Sequence, residues 1–418
     1  MSGSIINVSI DGRPVAVAEG ATVLDAAREL GIDVPTMCYL KDAKPFTSCM
    51  VCLVEDTASQ KLLPACSSLA QDGMTIRTDT AQVHEARQRA LELLLSEHVG
   101  DCEGPCRCAC PVHLDIPRLL RAVGRADWRS ARSIVDDAQP PCVGEQDCKA
   151  PCERVCRRNQ VDAAVSNSHY GSISSRSVIP SLPRDLLIIE NTGDLLRQAQ
   201  HRLSTSLEMT DQTRHECLQN ENCCAAVSIR AVVRCVAGLD VEATAGPSVE
   251  AFVRNVSVIG KLMAEEHPVM MRDVSAASRV VAVDPDGGYA ADEATREAAR
   301  CMHCDCRKGH DCALRDYAIA YEADQRHYAG GGRRPFEQIT QHADILYEPG
   351  KCIRCGICVR ITEREREPLG LTFIGRGFDV RIGVPFEGSL AEGLREVARD
   401  CAEACPTGAL CVRKEAQQ

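Results

Sequence analysis

Twenty-six cysteines constrain this chain of 418 residues more than any other feature, and they are not spread evenly. They fall into five groups, at 38–66, 102–156, 217–235, 301–312 and 352–411. Cysteines serving as small buried hydrophobes would be scattered through the core. The start, "MSGSIINVSIDGRP", lacks the layout of a secretory signal, so clustered thiols point to metal ligation in a reducing, cytoplasmic setting rather than to disulfides. A formal charge of −11 argues against a nucleic-acid partner, and no apolar run approaches a membrane span. Leu93–Leu95, bounded by Glu92 and Ser96, reads instead as part of a buried helix face. At 44% hydrophobic residues the chain can bury the cores of several domains.

The first group sits in a readable frame. "IINVSI", Asp11-Gly12 and "PVAVA" read as strand, tight turn and strand, and "ATVLDAARELGI" as a helix with Thr22 at its N-cap. Cys38, Cys49, Cys52 and Cys66 follow, separated by ten, two and thirteen residues. Four thiolates are what a [2Fe–2S] cluster takes, two per iron. A zinc site, the alternative, usually draws paired short-spaced ligands. The spacing resembles the ferredoxin domain that begins the large iron–sulfur subunit of respiratory complex I and related hydrogenase and formate dehydrogenase subunits. That resemblance implies a β-grasp [2Fe–2S] domain over residues 1–80.

"AQVHEARQRALELLLSEH" then reads as a helix with Val83, Ala86, Ala90 and Leu94 near one face, and it delivers the chain to His98 and Cys102. Complex I-type subunits carry a histidine and a cysteine at this spacing as [4Fe–4S] ligands, which implies that role here; a surface histidine ending a helix is the alternative. Cys102, Cys106, Cys108 and Cys110 lie within nine residues, followed by Pro111 and by "LDIP", where Asp115 can cap a helix. Cys142, Cys148, Cys152 and Cys156 complete the group. "PCRCACPVHLDIP" and "CKAPCERVCRR" resemble the helical N-terminal domain of the glutamate synthase small subunit and of dihydropyrimidine dehydrogenase. The resemblance implies two [4Fe–4S] clusters over 81–162. One would take Cys102, Cys106, Cys156 and, as a candidate, His98. The other would take Cys110, Cys148, Cys152 and a fourth ligand, Cys108 or Cys142.

In the glutamate synthase small subunit such a domain leads into FAD- and NADPH-binding domains with Gly-rich turns. No G-x-G-x-x-G after a strand is found here, so neither FAD nor NAD is expected. "GRGFDV" (375–380) has only the first two glycines, in a strand-like context, and "AGGGRRP" (329–335) precedes no helix pattern. "AAVS" recurs at 163–166 and 225–228, so 167–224 reads as an insertion in a connecting region, 163–290. Cys217, Cys223, Cys224 and Cys235, with His215, are either a further metal site or incidental thiols.

Cys301, Cys304, Cys306 and Cys312 form a Cys-rich segment, 291–345, that suits either a [4Fe–4S] cluster or structural zinc; His303 and His310 read as neighbours rather than ligands. The last part, 346–418, resembles the two-cluster ferredoxin module of complex I and hydrogenase subunits. There C-x₂-C-x₂-C-x₃-C occurs twice, with each fourth cysteine ligating the other cluster. Cys352, Cys355, Cys358 and the proline-linked Cys405 complete one set. The partner cluster would need thiolates at 362, 395 and 398, where this chain has Thr362, Arg395 and Ala398. Cys401 and Cys411 then read as ordinary residues.

The expected fold class is α+β multidomain: a β-grasp [2Fe–2S] ferredoxin, a helical double-cluster domain and a C-terminal bacterial ferredoxin-like module. The expected cofactors are one [2Fe–2S] and three or four [4Fe–4S] clusters, with zinc an alternative at 301–312. The expected role is a non-catalytic electron-transfer subunit of an oxidoreductase complex. Its partners would be an NAD(P)H-flavin or ferredoxin-linked subunit and a catalytic subunit such as a hydrogenase or formate dehydrogenase. The rivals are a metal scaffold or redox sensor with some sites holding zinc, and a flavoenzyme whose cofactor pocket is built without the usual fingerprint.

Overall fold

Asp11 and Gly12 turn the chain between β1 (Ile5–Ile10) and β2 (Arg13–Ala18), which pair antiparallel from Ile10↔Arg13 outward. Both turn residues are left-handed (φ 50° and 78°), the backbone that matches the twist of a two-residue hairpin. Thr22 then starts α1 (Val23–Glu29): its hydroxyl accepts from the Asp25 N–H at 3.2 Å, and the Asp25 carboxylate accepts from the Thr22 N–H at 2.9 Å.

The computed structural model describes residues 4–143, 148–161, 228–241, 259–272, 274–280, 288–308, 311–328, 330 and 332–413. It divides into two units, Met1–Cys108 with Glu250–Asp273 and His303–Gln418, and Ala109–Val249 with Val274–Met302. The inferred insertion, with His215, Cys217, Cys223 and Cys224, lies outside the described residues, as does His310.

In the first unit β3 (Leu53–Asp56), β4 (Lys61–Pro64) and β5 (Thr75–Arg77) complete a mixed sheet in the order β2-β1-β5-β3-β4, with β1 and β5 parallel. Leu24, Ala26 and Ala27 of α1 join Val8, Ile10, Val54 and Ile76 in its core. α2 (Ala81–Ser96) follows, its N-cap Thr80 hydroxyl accepting from Val83 N–H at 3.2 Å. It buries Val83, Arg87, Ala90, Leu91 and Leu95. The reading of Leu93–Leu95 as a buried stretch needs correction: Leu95 is 1% exposed but Leu93 is 56% exposed. At about 100° per residue Leu93 falls opposite both Leu91 and Leu95. The buried Arg87 side chain closes the joint by donating to Leu53 O (2.7 and 3.0 Å) and to the Tyr321 hydroxyl (2.7 Å).

The C-terminal part of this unit pairs β6 (Ile345–Tyr347) with β9 (Leu410–Val412), and β7 (Thr372–Ile374) with β8 (Arg381–Gly383). The "GRGFDV" glycines serve the tight β7–β8 connection. Gly375 has φ 85°, and a Cβ there would lie 2.5 Å from Asp379 O. Helices Ile357–Arg364 and Ala398–Glu403 pack on each other nearby.

The second unit is helical. Helices Ile116–Gly124, Trp128–Ala138, Ile229–Gly238 and Ala291–Ala298 pack around Leu119, Val123, Ile134, Val232, Val236 and Ala294. Asp115 caps the first of these by accepting from Arg118 N–H at 3.2 Å. Glu297, fully buried, takes the N–H groups of Ser228 (2.8 Å) and Val280 (2.9 Å) and pairs with Arg300 at 2.7 Å. Cys235 is packed within helix Ile229–Gly238, and burial pushes its thiol upward. Among the described residues no helix is long and apolar enough to cross a membrane.

Candidate metal centres

Cys38, Cys49, Cys52 and Cys66 are each 4% exposed or less, and none is in a disulfide. Thr47 (φ 57°) and Met50 (φ 54°) bend the loop that brings Cys49 and Cys52 back towards Cys38. The four sulfurs are in mutual reach. Hydrogen bonds from the Cys49 and Cys66 thiols hold Cys38 far below the usual thiol range, and Cys66 draws Cys52 down to about 7. The proton partners Cys49 and Cys66 are pushed upward in turn, each first by its bond to Cys38. Four buried, contiguous sulfurs fit a [2Fe–2S] centre, in which two thiolates serve each iron.

Cys352, Cys355 and Cys358 curl around a second site, with Cys405 arriving from the end of helix Ala398–Glu403. Arg354 (φ 54°) and Gly356 (φ 69°) give the loop its curl. Cys352, Cys355, Cys358 and Cys405 line one small apolar pocket whose other walls include Tyr347, Ile357, Ile382 and Leu410. Arg354 N–H donates to Cys352 Sγ at 3.4 Å. Burial pushes Cys352 up to about 11 and raises Cys355 and Cys358 further, with neighbouring thiolates adding to the effect. Three thiols that resist ionisation separately, with Cys405 beside them around one apolar hollow, fit a cluster whose iron would compensate their charge.

The positions expected to lack a partner cluster are packed. Thr362 is 2% exposed, its hydroxyl donating to Val359 O (2.9 Å) and accepting from Leu371 N–H (3.1 Å). Leu394, Val397, Ala398 and Cys401 are buried in the same apolar core as Ile361 and Leu371, whereas Arg395 is exposed. Cys401 Sγ points at Cys358 O (3.8 Å), and Cys411 Sγ at Gly408 O (3.2 Å).

His98 lies at a third grouping, which local spacing alone does not reveal. Its Nδ1 is buried without a hydrogen-bond partner, and burial together with the Lys351 charge holds the ring down at about 3. It is therefore neutral, the form that ligates metal. Cys306 N–H donates to Cys102 O at 3.3 Å, so two residues 204 positions apart in sequence are backbone neighbours. Cys312 lies beside them: burial and then the Cys306 charge push its thiol up to about 11. Arg315, paired with Glu103, feels the charges of both Cys102 and Cys312. Cys304 and Cys106 belong to this unit, Cys301 and Cys156 to the other. Cys108 is exposed.

In the second unit Cys110, Cys142, Cys148 and Cys152 form a fourth set. Burial, followed by Cys148 and Cys110, pushes Cys142 up to about 11. Burial, Glu153, Cys110 and Cys142 push Cys152 up to about 12. Of the two candidates beside Cys110, Cys148 and Cys152, Cys142 is the one that feels the charges of Cys148 and Cys110. Among the described residues no group of three or more His, Cys, Asp or Glu side chains could hold a single metal ion.

Sequence reading missed the groups that join these sites. Arg360 donates to Cys38 O (2.7 Å), Lys44 O (3.1 Å) and Cys355 O (3.4 Å), so one guanidinium ties the first two loops together. Lys308, two residues past Cys306, donates to Cys405 O and to Glu403 O (3.0 Å) at the end of helix Ala398–Glu403. A lone Arg or Lys carries no periodic signature; adjacency to a cysteine run was the one available signal.

Comparison with known proteins bears on the first of these sites. An NADH-quinone oxidoreductase subunit from Rhizobium meliloti (strain 1021) is 46% identical over 98 residues, 23% of this chain and 12% of that protein. An NADP-reducing hydrogenase subunit HndD from Solidesulfovibrio fructosivorans is 43% identical over 104 residues, 24% of this chain and 18% of that one. The mitochondrial NADH dehydrogenase (ubiquinone) iron-sulfur protein 1 of Solanum tuberosum is 40% identical over 142 residues, 33% of this chain and 19% of that one. The chain thus spans less than a fifth of the length of these relatives. Residues 3–81 match the 2Fe-2S iron-sulfur cluster binding domain family, and they carry its four buried cysteines here.

Proposed function

We propose that this chain is an electron-transfer subunit of an oxidoreductase complex, with three of its cluster sites forming a relay within the first unit. Cys38, Cys49, Cys52 and Cys66 would hold a [2Fe–2S] cluster. Cys352, Cys355, Cys358 and Cys405 would hold one [4Fe–4S] cluster, and His98, Cys102, Cys306 and Cys312 another. Cys110, Cys142, Cys148 and Cys152 would hold a [4Fe–4S] cluster in the helical unit. Such clusters accept and release single electrons. The protein's own part is to hold the thiolates rigidly, exclude water and connect the sites.

The connection carries the reading. Arg360 bonds the carbonyls of Cys38 and Cys355, each a ligand residue of a different site. Lys308 and the Lys351–Cys352 segment join the second site to Cys306 of the third. Independent metal scaffolds need no such ties. The relatives are named as subunits of NADH-quinone oxidoreductase and NADP-reducing hydrogenase. They support an NAD(P)H-flavin or ferredoxin-linked partner on one side and a catalytic redox subunit on the other.

The test is anaerobic purification with iron, sulfide, zinc and flavin counted per chain, followed by reduction with a single low-potential donor. Four sets predict about 14 irons with matching sulfide, or about 18 with a further [4Fe–4S] centre. All centres should reduce from the one donor. Stoichiometric zinc in place of iron, or centres that stay oxidised, would replace the relay with a scaffold or sensor.

A further inference from the structure

Lys351 is 3% exposed and stands immediately before Cys352, yet its side chain leaves that site for another. Its Nζ donates to Cys306 Sγ at 3.6 Å and forms a buried ion pair with Glu348. Gln338 Nε2 donates to the other Glu348 oxygen at 2.7 Å. The neighbouring glycines pack closely around the lysine. A Cβ on Gly100 would lie 2.5 Å from Lys351 Cε, one on Gly408 would lie 2.5 Å from Cys306 Sγ, and one on Gly350 would meet Val99 at 2.9 Å. Val99 N–H donates to Gly350 O at 2.8 Å, which fixes the segment after His98 to the one carrying Lys351. The Lys351 carbonyl accepts from the Thr407 hydroxyl at 2.9 Å, two residues past Cys405.

Resting on the assignment of His98, Cys102, Cys306 and Cys312 to one cluster, we propose that Lys351 is a positioning residue whose fixed positive charge at the Cys306 sulfur raises the reduction potential of that centre. Reduction adds one electron, makes and breaks no bond, and needs no proton; the donor is the flavin- or ferredoxin-class partner of the relay. A buried ammonium in contact with a ligand sulfur favours the more negative, reduced state, and little water is present to screen it. The anion of Glu348 partly offsets the ammonium, so the two side chains push the potential in opposite directions.

The experiment is an anaerobic, dithionite-driven redox titration of the full chain followed by EPR. Wild type is compared with Lys351→Met, Lys351→Arg and Glu348→Gln, and Cys312→Ala identifies the signal. The [2Fe–2S] signal serves as an internal reference. In Lys351→Met the Cys312-dependent signal should move to lower potential, Lys351→Arg should restore it, and Glu348→Gln should move it to higher potential. Opposite shifts from two neighbouring substitutions do not come from a general loosening of the fold. An unchanged potential in Lys351→Met with full iron content overturns the proposal. If Lys351→Met loses iron, Glu348→Gln decides: an upward shift supports the proposal, and anything else overturns it. If Cys312→Ala removes neither iron nor signal, the cluster assignment itself fails and the proposal falls with it, a result distinct from an unmoved potential.

Discussion

The two halves of the C-terminal part, 346–418, differ in what fills them. Around Cys352, Cys355, Cys358 and Cys405 the chain has a small hollow lined by sulfur and apolar side chains. Around Thr362, Leu394, Val397, Ala398 and Cys401 the corresponding half is solid, continuous with the core that holds Ile361 and Leu371. The comparison teaches that a cluster site needs space as well as ligands. Thr362 is a backbone partner for Leu371, Ala398 a core methyl, and Arg395 a surface residue. Space that side chains already fill does not become a centre by supplying thiols alone.

Cys405→Ala tests the hollow half and carries the largest expected effect. It should lose about four irons per chain while leaving the [2Fe–2S] signal intact, because Cys405 alone comes from the distant helix. An unchanged iron count would dissolve the contrast between the halves. The solid half is tested by Thr362→Cys, Arg395→Cys and Ala398→Cys together, which with Cys401 supply four thiols. Iron content should not rise. Overpacking at the buried 398 position and the lost hydroxyl bond of Thr362 should cost about 2–4 kcal/mol in denaturant unfolding. A gain of about four irons would show that ligands, not packing, exclude the second cluster.

How far this contrast could be read beforehand depends on sequence distance. Asp11-Gly12, the Thr22 cap and the helix after Thr80 are local, and local chemistry fixes them. That Cys405 lines one pocket with Cys352, Cys355 and Cys358 was legible because the resembled ferredoxin module supplied the register. The neighbourhood of Cys102 and Cys306 was not. The chain between them leaves the first unit and returns; the sequence reading joined Cys102 to Cys106 and Cys156 and took 301–312 as a set of its own. His98, four residues before Cys102, offered a partial signal.

Arg360→Met addresses why the hollow half has kept its shape. The guanidinium bonds carbonyls of Cys38, Lys44 and Cys355 and lies over the Phe46 ring, 5.8 Å from its centroid. Hydrogen bonds from a charged donor contribute about 1.5–3 kcal/mol, and this side chain is half-buried, so a loss near the lower end is expected. Iron content should hold, since no sulfur is removed. Earlier proteolysis of the 40–50 loop would locate the loosening. Iron loss from both sites would instead make Arg360 part of their assembly.

Cys401→Ala is the smallest change and the sharpest discriminator between the halves. Cys401 is fully buried and, like Cys358, sits on a helix of the module. Its sulfur faces the Cys358 carbonyl at 3.8 Å, a weak contact at most. Burial, reinforced by Asp400 and Cys405, pushes the thiol up to about 12, so it remains protonated as a core residue. Removing one sulfur from a packed core should cost about 1 kcal/mol, with iron and every EPR signal unchanged. Cys358→Ala, one helix away, should lose about four irons. If both substitutions lost iron, Cys401 would be a ligand after all and the solid half would still hold a metal centre.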